Sequence, residues 1–157
     1  MCTIDLRESK SRLIKLDQTL LDHLKIIAEE AGQAILQIYQ QEGVKVQTKS
    51  DHSPLTQADL ESHNIINQAV KKLTPEIPIL SEEGDNLEGD IEIFWCVDPL
   101  DGTKEFIKRN DEFTVNIALI DHHQPVLGVI HIPVLNETFL AMKGNGAKKI
   151  TNHQKKY

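Results

Sequence analysis

Two aspartates stand three residues apart in Val97-Asp98-Pro99-Leu100-Asp101-Gly102-Thr103, directly after an apolar, strand-like run. Proline restricts the backbone between them, and a turn of this spacing can bring both carboxylates to one side, with the Leu100 carbonyl between them as a third hard oxygen. A second acidic locus lies upstream, where Ser81-Glu82-Glu83-Gly84 follows the apolar run Ile77–Leu80. Adjacent residues leaving a strand point in opposite directions, so only one of Glu82 and Glu83 is expected to face a given site. Carboxylate and carbonyl oxygens are the donors that magnesium takes, together with waters and phosphate oxygens. Cys and His are not arranged at zinc spacings, which excludes a zinc site.

The residues after Asp101 supply the anion side of such chemistry. Gly102 lets the backbone approach a ligand. If Thr103-Lys104-Glu105-Phe106-Ile107 opens a helix, the N–H groups of Gly102, Thr103 and Lys104 face the same point. The Thr103 hydroxyl can orient a water, and Lys104 can add positive charge. Phosphate monoesters resist hydrolysis strongly enough to demand this combination of metal and anion pocket. The competing reading is plain: single carboxylates at strand ends are usually solvated, Asp-Gly usually marks a turn, and a lysine is usually hydrated. Two acidic clusters, each launched from an apolar run, tell against coincidence, but residue types alone leave both readings open. The histidines add no ligand set: His122-His123 fall in a turn, His23, His63 and His131 lack partners at metal spacing, and His52 reads as a loop residue.

The elements that must position these groups can be read from periodicity. Leu20, Leu24, Ile27, Ala28, Ala31, Ile35 and Ile38 recur at helical spacing, with Gly43 placed to end that helix. Val44–Lys49 alternates like a half-buried strand. Thr56 is a candidate N-cap for a second helix through Leu73, with Asp59 completing an acidic form of the capping box. Short strands are expected at 77–80 and 91–97, an antiparallel pair at 113–120 and 125–134 turning at Asp121-His122-His123-Gln124, and a further strand at 137–142. The fold class is α+β: two helices packed on a mostly antiparallel sheet. The domain reading is a polar extension at 1–16, one metal-binding domain at 17–142, and a polar basic tail at 143–157 that ends the core.

A length of 157 residues suffices for one domain with a proper core. No apolar run approaches a membrane span and the first residues lack a signal-peptide core, so the cytoplasm is the expected location. Cys2 reads as a stray thiol and Cys96 as a small core residue, which is not the pattern of a disulfide framework. A net charge of −7 excludes a nucleic-acid polymer as partner, while metal ions could still recruit a small anion.

Taken together, Asp98–Thr103 as "DPLDGT" and Ser81–Gly84 as "SEEG" resemble the signatures of the magnesium-dependent inositol monophosphatase superfamily. With "KSDHSPLTQAD", "WCVDPLDGTKEFIKRNDEFTVNIALI" and "GVIHIPV", the likeness from about Leu16 to Met142 is to its 3'(2'),5'-bisphosphate nucleotidases of the CysQ type. The resemblance implies the N-terminal part of that layered α/β/α/β/α sugar-phosphatase fold. It implies removal of the 3'-phosphate from adenosine 3',5'-bisphosphate, in sulfur assimilation. Glu82, Asp98, Asp101 and the Leu100 carbonyl would be magnesium ligands. Glu82, Thr103, Asp51 and Thr56 would take catalytic roles, and Asp101, Gly102, Thr103 and Lys104 would meet the substrate phosphate. Cytoplasmic location, with peripheral contact at the inner membrane, follows from the same likeness. An inositol phosphatase of the superfamily is the alternative activity, and a non-catalytic metal-binding remnant the alternative class. Because the family's second tryptophan-aspartate motif has no counterpart here, the chain is expected to represent the N-terminal half, to be weakly active or inactive alone, and to self-associate through exposed apolar surface.

Overall fold

The apolar stripe at three- and four-residue steps forms α1 (Gln18–Tyr39), burying Leu21, Leu24, Ile27, Ala28, Ala31, Ile35 and Ile38 on one face. This computed structural model describes residues 15–41, 43, 46–49, 54–84 and 86–151. Cys2 and most of the N-terminal extension, the 44–45 end of the first expected strand, Asp51, His52 and residues 152–157 lie outside the described residues. The Asp17 carboxylate starts α1 by accepting from the Leu20 N–H at 3.0 Å. The helix ends sooner than expected: Gln40 is its C-cap, and Gly43, with φ +73°, lies beyond it.

β1 (Val46–Thr48) stops one residue before the alternating pattern does, and it is exposed at all three residues rather than half-buried. It pairs only with β2 (Pro54–Thr56), in an antiparallel ribbon apart from the main sheet, so no core buries one of its faces. Thr56 then caps α2 (Gln57–Leu73) in the capping box expected with Asp59.

The main sheet has six strands in sequential order: β3 (Ile79–Ser81), β4 (Ile93–Asp101), β5 (Thr114–Asp121), β6 (Gln124–Ile132), β7 (Glu137–Met142) and β8 (Gly146–Thr151). β3 runs parallel to β4 and every other pairing is antiparallel. A short α3 (Thr103–Lys108) joins β4 to β5. The expected α+β class holds, with this third helix added. One correction concerns the basic tail: residues 146–151 are not an ending but the edge strand β8. It escaped notice because its side chains are almost all exposed, as suits a lysine-bearing edge, so no alternation marks it.

α1 and α2 cover one face of the sheet. Val97, Val115, Ile117, Leu119, Leu127, Val129 and Leu140 point into that layer, as does Trp95, whose indole N–H donates to Thr74 Oγ1 at 2.8 Å. On the opposite face the register aligns Cys96, Ala118, Gly128, Ala141 and Ala147 in one row, and Asp98, Asn116, Ile130, Phe139 and Lys149 in the next. Ile130 and Phe139 are 46% and 40% exposed there. Cys96 is a free, exposed thiol on this face and not the core residue its apolar neighbours implied; strand alternation turns it away from the helices.

Candidate functional site

Strand alternation alone would send Asp98 and Asp101 to opposite faces, since they are separated by an odd number of positions. A bulge prevents that: Asp98 pairs with Asn116, Asp101 pairs with Thr114, and the register shifts between them. The bulge is pinned from α2, where the buried Ser62 hydroxyl donates to the Pro99 carbonyl at 2.7 Å. The Glu82 N–H donates to the Val97 carbonyl at 3.1 Å, which brings the glutamate turn beside the same strand end.

These groups crowd one another electrostatically. Burial, then the charges of Glu82 and Asp101 and a hydrogen bond with Glu82, push the Asp98 carboxyl up to about 7. Its Oδ1 is buried with no hydrogen-bond partner among the described residues. Asp101 accepts from Asn116 Nδ2 at 3.1 Å, and Asn116 in turn accepts from the Thr114 hydroxyl. The Lys49 ammonium bridges both glutamates, 2.9 Å from Glu82 Oε1 and 2.5 Å from Glu83 Oε1. Burial opposes its charge, yet the hydrogen bonds and charges of Glu83 and Glu82 hold it above the ordinary lysine value. Of the two glutamates the Glu83 side chain is the buried one and that of Glu82 is half exposed, while Lys49 reaches both. Residues 82–84 form a turn, so the alternation of an extended strand does not apply. Among the described residues, no three acidic, histidine or cysteine side chains close on one point at metal-binding distance. Glu82 is drawn to Lys49 and Asp101 to Asn116. What remains aimed inward is Asp98, whose crowding and orphaned oxygen are what a hard cation relieves.

The second half of the site is a buried carboxylate. Asp59 is 1% exposed. Its Oδ2 accepts from the Thr56 N–H at 2.8 Å and the Thr56 hydroxyl at 2.5 Å, and its Oδ1 accepts from the Thr103 hydroxyl at 2.9 Å. Thr103 also lies 3.3 Å from the Leu100 carbonyl. Gly102 has φ +97°, and a Cβ there would fall 2.7 Å from the Glu112 carbonyl oxygen, so only glycine fits this turn. α3 has six residues, too few for a developed helix dipole, so the Gly102 and Thr103 amides would act as individual donors. Lys104 is exposed on α3.

The structure thus gathers Glu82, Asp98, Asp101, Leu100, Gly102 and Thr103 at one end of the sheet. It puts Thr56 at a helix cap tied to Asp59, while Asp51 lies outside the described residues. Four contributors went unassigned in sequence. Sequence reasoning gives Asp59 only as a cap and does not single out Ser62, Lys49 or Asn116. A polar Asn116 within an otherwise apolar alternating strand was the one signal that could have been caught.

A family model described as the inositol monophosphatase family matches residues 16–156. The chain belongs to the inositol monophosphatase family. Among its relatives, the 3'(2'),5'-bisphosphate nucleotidase CysQ of Escherichia coli is 49% identical over 136 residues, covering 83% of this chain and 54% of that protein. The protein of the same name from Haemophilus influenzae is 38% identical over 141 residues, covering 87% and 52%. Among solved structures, CysQ from Bacteroides thetaiotaomicron, described as a bacterial member of the inositol monophosphatase family, superposes with TM-score 0.73 at 43% identity, covering 87% of this chain and 51% of that one. The extragenic suppressor protein suhB of Bartonella henselae gives TM-score 0.77 at 31% identity, covering 84% and 52%. The chain spans about half the length of the curated relatives it matches. No helix among the described residues is long and apolar enough to cross a membrane.

Proposed function

We propose that this inositol monophosphatase-family chain is the magnesium-binding part of a phosphomonoesterase of the 3'(2'),5'-bisphosphate nucleotidase type. The observation that carries this reading is Asp98, a crowded carboxyl with one buried, unpartnered oxygen, set between Glu82 and Asp101 and followed by the Gly102 turn. Asp98, Asp101, Glu82 and the Leu100 carbonyl are the residues that would hold magnesium. When bound, magnesium supplies positive charge to phosphate oxygens and acidifies water. The remaining roles belong to the chain itself. The Gly102 and Thr103 amides receive phosphate oxygens, with Lys104 adding charge at the rim. The Thr103 hydroxyl, held as a donor to Asp59, orients a water with its lone pairs, and Asp59 fixes that orientation through the Thr56 cap. Thr56 therefore supports the site through Asp59, and Asp51 is assigned to the adjoining loop by resemblance alone. Lys49 neutralises Glu82 and Glu83 and must yield Glu82 for it to serve as a ligand.

The names of the CysQ relatives favour adenosine 3',5'-bisphosphate as substrate, with AMP and phosphate as products, within sulfur assimilation. The cytoplasm is the location this reading implies. A net charge of −7 opposes adsorption to an anionic membrane surface, so peripheral contact would need a local basic patch. Phosphate release at millimolar magnesium tests the proposal, with adenosine 3',5'-bisphosphate and inositol 1-phosphate compared. Slow release from the bisphosphate, abolished in Asp98→Asn, is expected; release that survives that substitution would remove Asp98 from the site. Faster release from the inositol phosphate would support the inositol phosphatase alternative. Magnesium binding without any release would leave a metal-binding domain only. Self-association through the Ile130–Phe139 face is part of the same proposal, and sedimentation velocity should show a larger species that Phe139→Ser disperses.

A further inference from the structure

The loop after α3 is wedged between the end of α1 and the turn at residue 102. Arg109 is exposed, yet its guanidinium donates to two backbone carbonyls at the C-terminus of α1, that of Tyr39 at 2.6 Å and that of Gln41. The same guanidinium lies 5.3 Å from the Tyr39 ring centroid. Two residues on, Asp111 and Tyr39 hold each other reciprocally. The Tyr39 hydroxyl donates to Asp111 Oδ1 at 2.8 Å, and the Asp111 N–H donates to the Tyr39 hydroxyl at 3.3 Å. Tyr39, Phe106 and Phe113 stack in a triangle with centroids 5.0 to 5.4 Å apart, joining α1, α3 and the start of β5. On the other side of the loop, the Glu112 carbonyl and the Phe113 backbone fill the space beside Gly102 where a Cβ would stand, 2.7 and 3.3 Å from its position.

The backbone here is held against its own preference. Arg109 and Asp111 have φ of +58° and +69°, left-handed values that cost a non-glycine residue free energy and persist only where the surroundings enforce them. Arg109 and Tyr39 supply that enforcement. Residues 109–112 form a strut: one end is clamped to α1, and the other sets how far Gly102, and with it Asp101 and Thr103, can retreat from Asp98.

We propose that Arg109 is a positioning residue for the metal and phosphate site, acting through the 109–112 loop on the 101–103 turn. This rests on the reading of Asp98–Thr103 given above. Two charge-assisted bonds from a planar guanidinium to two separate carbonyls are not reproduced by an ammonium, so Arg109→Lys should restore part of the effect and Arg109→Ala none.

The test uses the full chain, with amide hydrogen exchange of residues 102–106 and calorimetric titration with magnesium chloride as readouts. In Arg109→Ala, the 102–106 amides, including the Phe106 N–H bonded to the Gly102 carbonyl at 2.8 Å, should exchange faster while β5 and β6 keep their protection. The size expected is about tenfold, the scale of one lost charge-assisted bond. Magnesium affinity should fall about threefold or more, since the ligand at 101 is less well placed. Arg109→Lys should stand between wild type and Arg109→Ala in both readouts. Tyr39→Phe keeps the ring and removes the hydroxyl, and should give a smaller local rise; it decides the matter if Arg109→Ala does not fold. Unchanged exchange at 102–106, acceleration spread evenly over the sheet, or faster local exchange with unaltered magnesium affinity would each overturn the proposal. Failure of the underlying site reading looks different: magnesium affinity would then be unchanged in Asp98→Asn.

Discussion

Asp59 and Thr103 should behave as one unit, and a double-mutant cycle can show it. In Asp59→Asn the side chain keeps its size, but one oxygen becomes an N–H₂ group. The Thr56 N–H leaves the asparagine no choice at Oδ2, because that position must accept. Its nitrogen therefore faces Thr103, and the Thr103 hydroxyl changes from donor to acceptor, turning its proton toward the Leu100 carbonyl 3.3 Å away. Three bonds lose charge assistance, a loss of about 1 kcal/mol each. Burying a neutral amide in place of a carboxylate offsets part of that, leaving a net loss of about 2 kcal/mol. Thr103→Val is nearly isosteric and deletes the hydroxyl, at a similar cost of about 2 kcal/mol because Asp59 Oδ1 loses its donor. If the two residues act only through each other, the double variant should fall short of the sum by about 1 to 1.5 kcal/mol. Urea unfolding reads this directly: with a slope of about 2 kcal/mol/M, each single variant moves the midpoint by about 1 M. Additivity within about 0.5 kcal/mol would refute the coupling and remove Asp59 as the residue that orients Thr103.

Asp98→Asn should stabilise the metal-free chain at pH 8 and leave it unchanged near pH 4. Folded Asp98 keeps its proton up to about 7, against 3.8 for an unperturbed aspartate. Between those values the folded state binds more protons than the unfolded one, so stability falls as pH rises, and the amide removes that penalty. Discounted for partial exposure, the gain is about 1 kcal/mol, measurable by thermal melts at the two pH values, and a loss at pH 8 would mean Asp98 is not crowded. Gly102→Ala should lower stability by about 3 kcal/mol, since it combines a left-handed φ with contact against the Glu112 carbonyl. For a chain of this size that is roughly 10 °C in Tm, and a shift below about 3 °C would mean the 102 turn can relax.

Periodicity made α1, α2 and the apolar strands legible, because each buries one face and so carries its period in the sequence. β8 carries no such signal, since its residues 146–149 are exposed and it is held by backbone pairing to β7. Gly43 reads as a helix cap and does adopt a left-handed φ, but α1 ends earlier, at Tyr39, whose carbonyl accepts from Arg109, a contact 70 residues away in sequence. The acidic loci at 82, 98 and 101 could be found by residue type alone. Their arrangement could not, because it depends on a bulge and on where Lys49 and Asn116 place their charges and amides.

That arrangement explains why a phosphatase of this family would build its site at this point of the sheet. Asp59 and Ser62 lie three apart on α2, on one face and within one turn. One grips Thr103 and the other grips the Pro99 carbonyl, so the first two turns of α2 hold both sides of the Asp98–Asp101 bulge. The Thr56 cap fixes where α2 begins, and therefore the height of both grips above the sheet. From the far side Arg109 and the Glu112 carbonyl bound the same bulge through Gly102. A crowded carboxyl raised to about 7 would otherwise relax by swinging apart from its neighbours. With the bulge held from both sides, Asp98 keeps its unpartnered oxygen, and on the proposed reading the cost stored there is what a divalent cation would release.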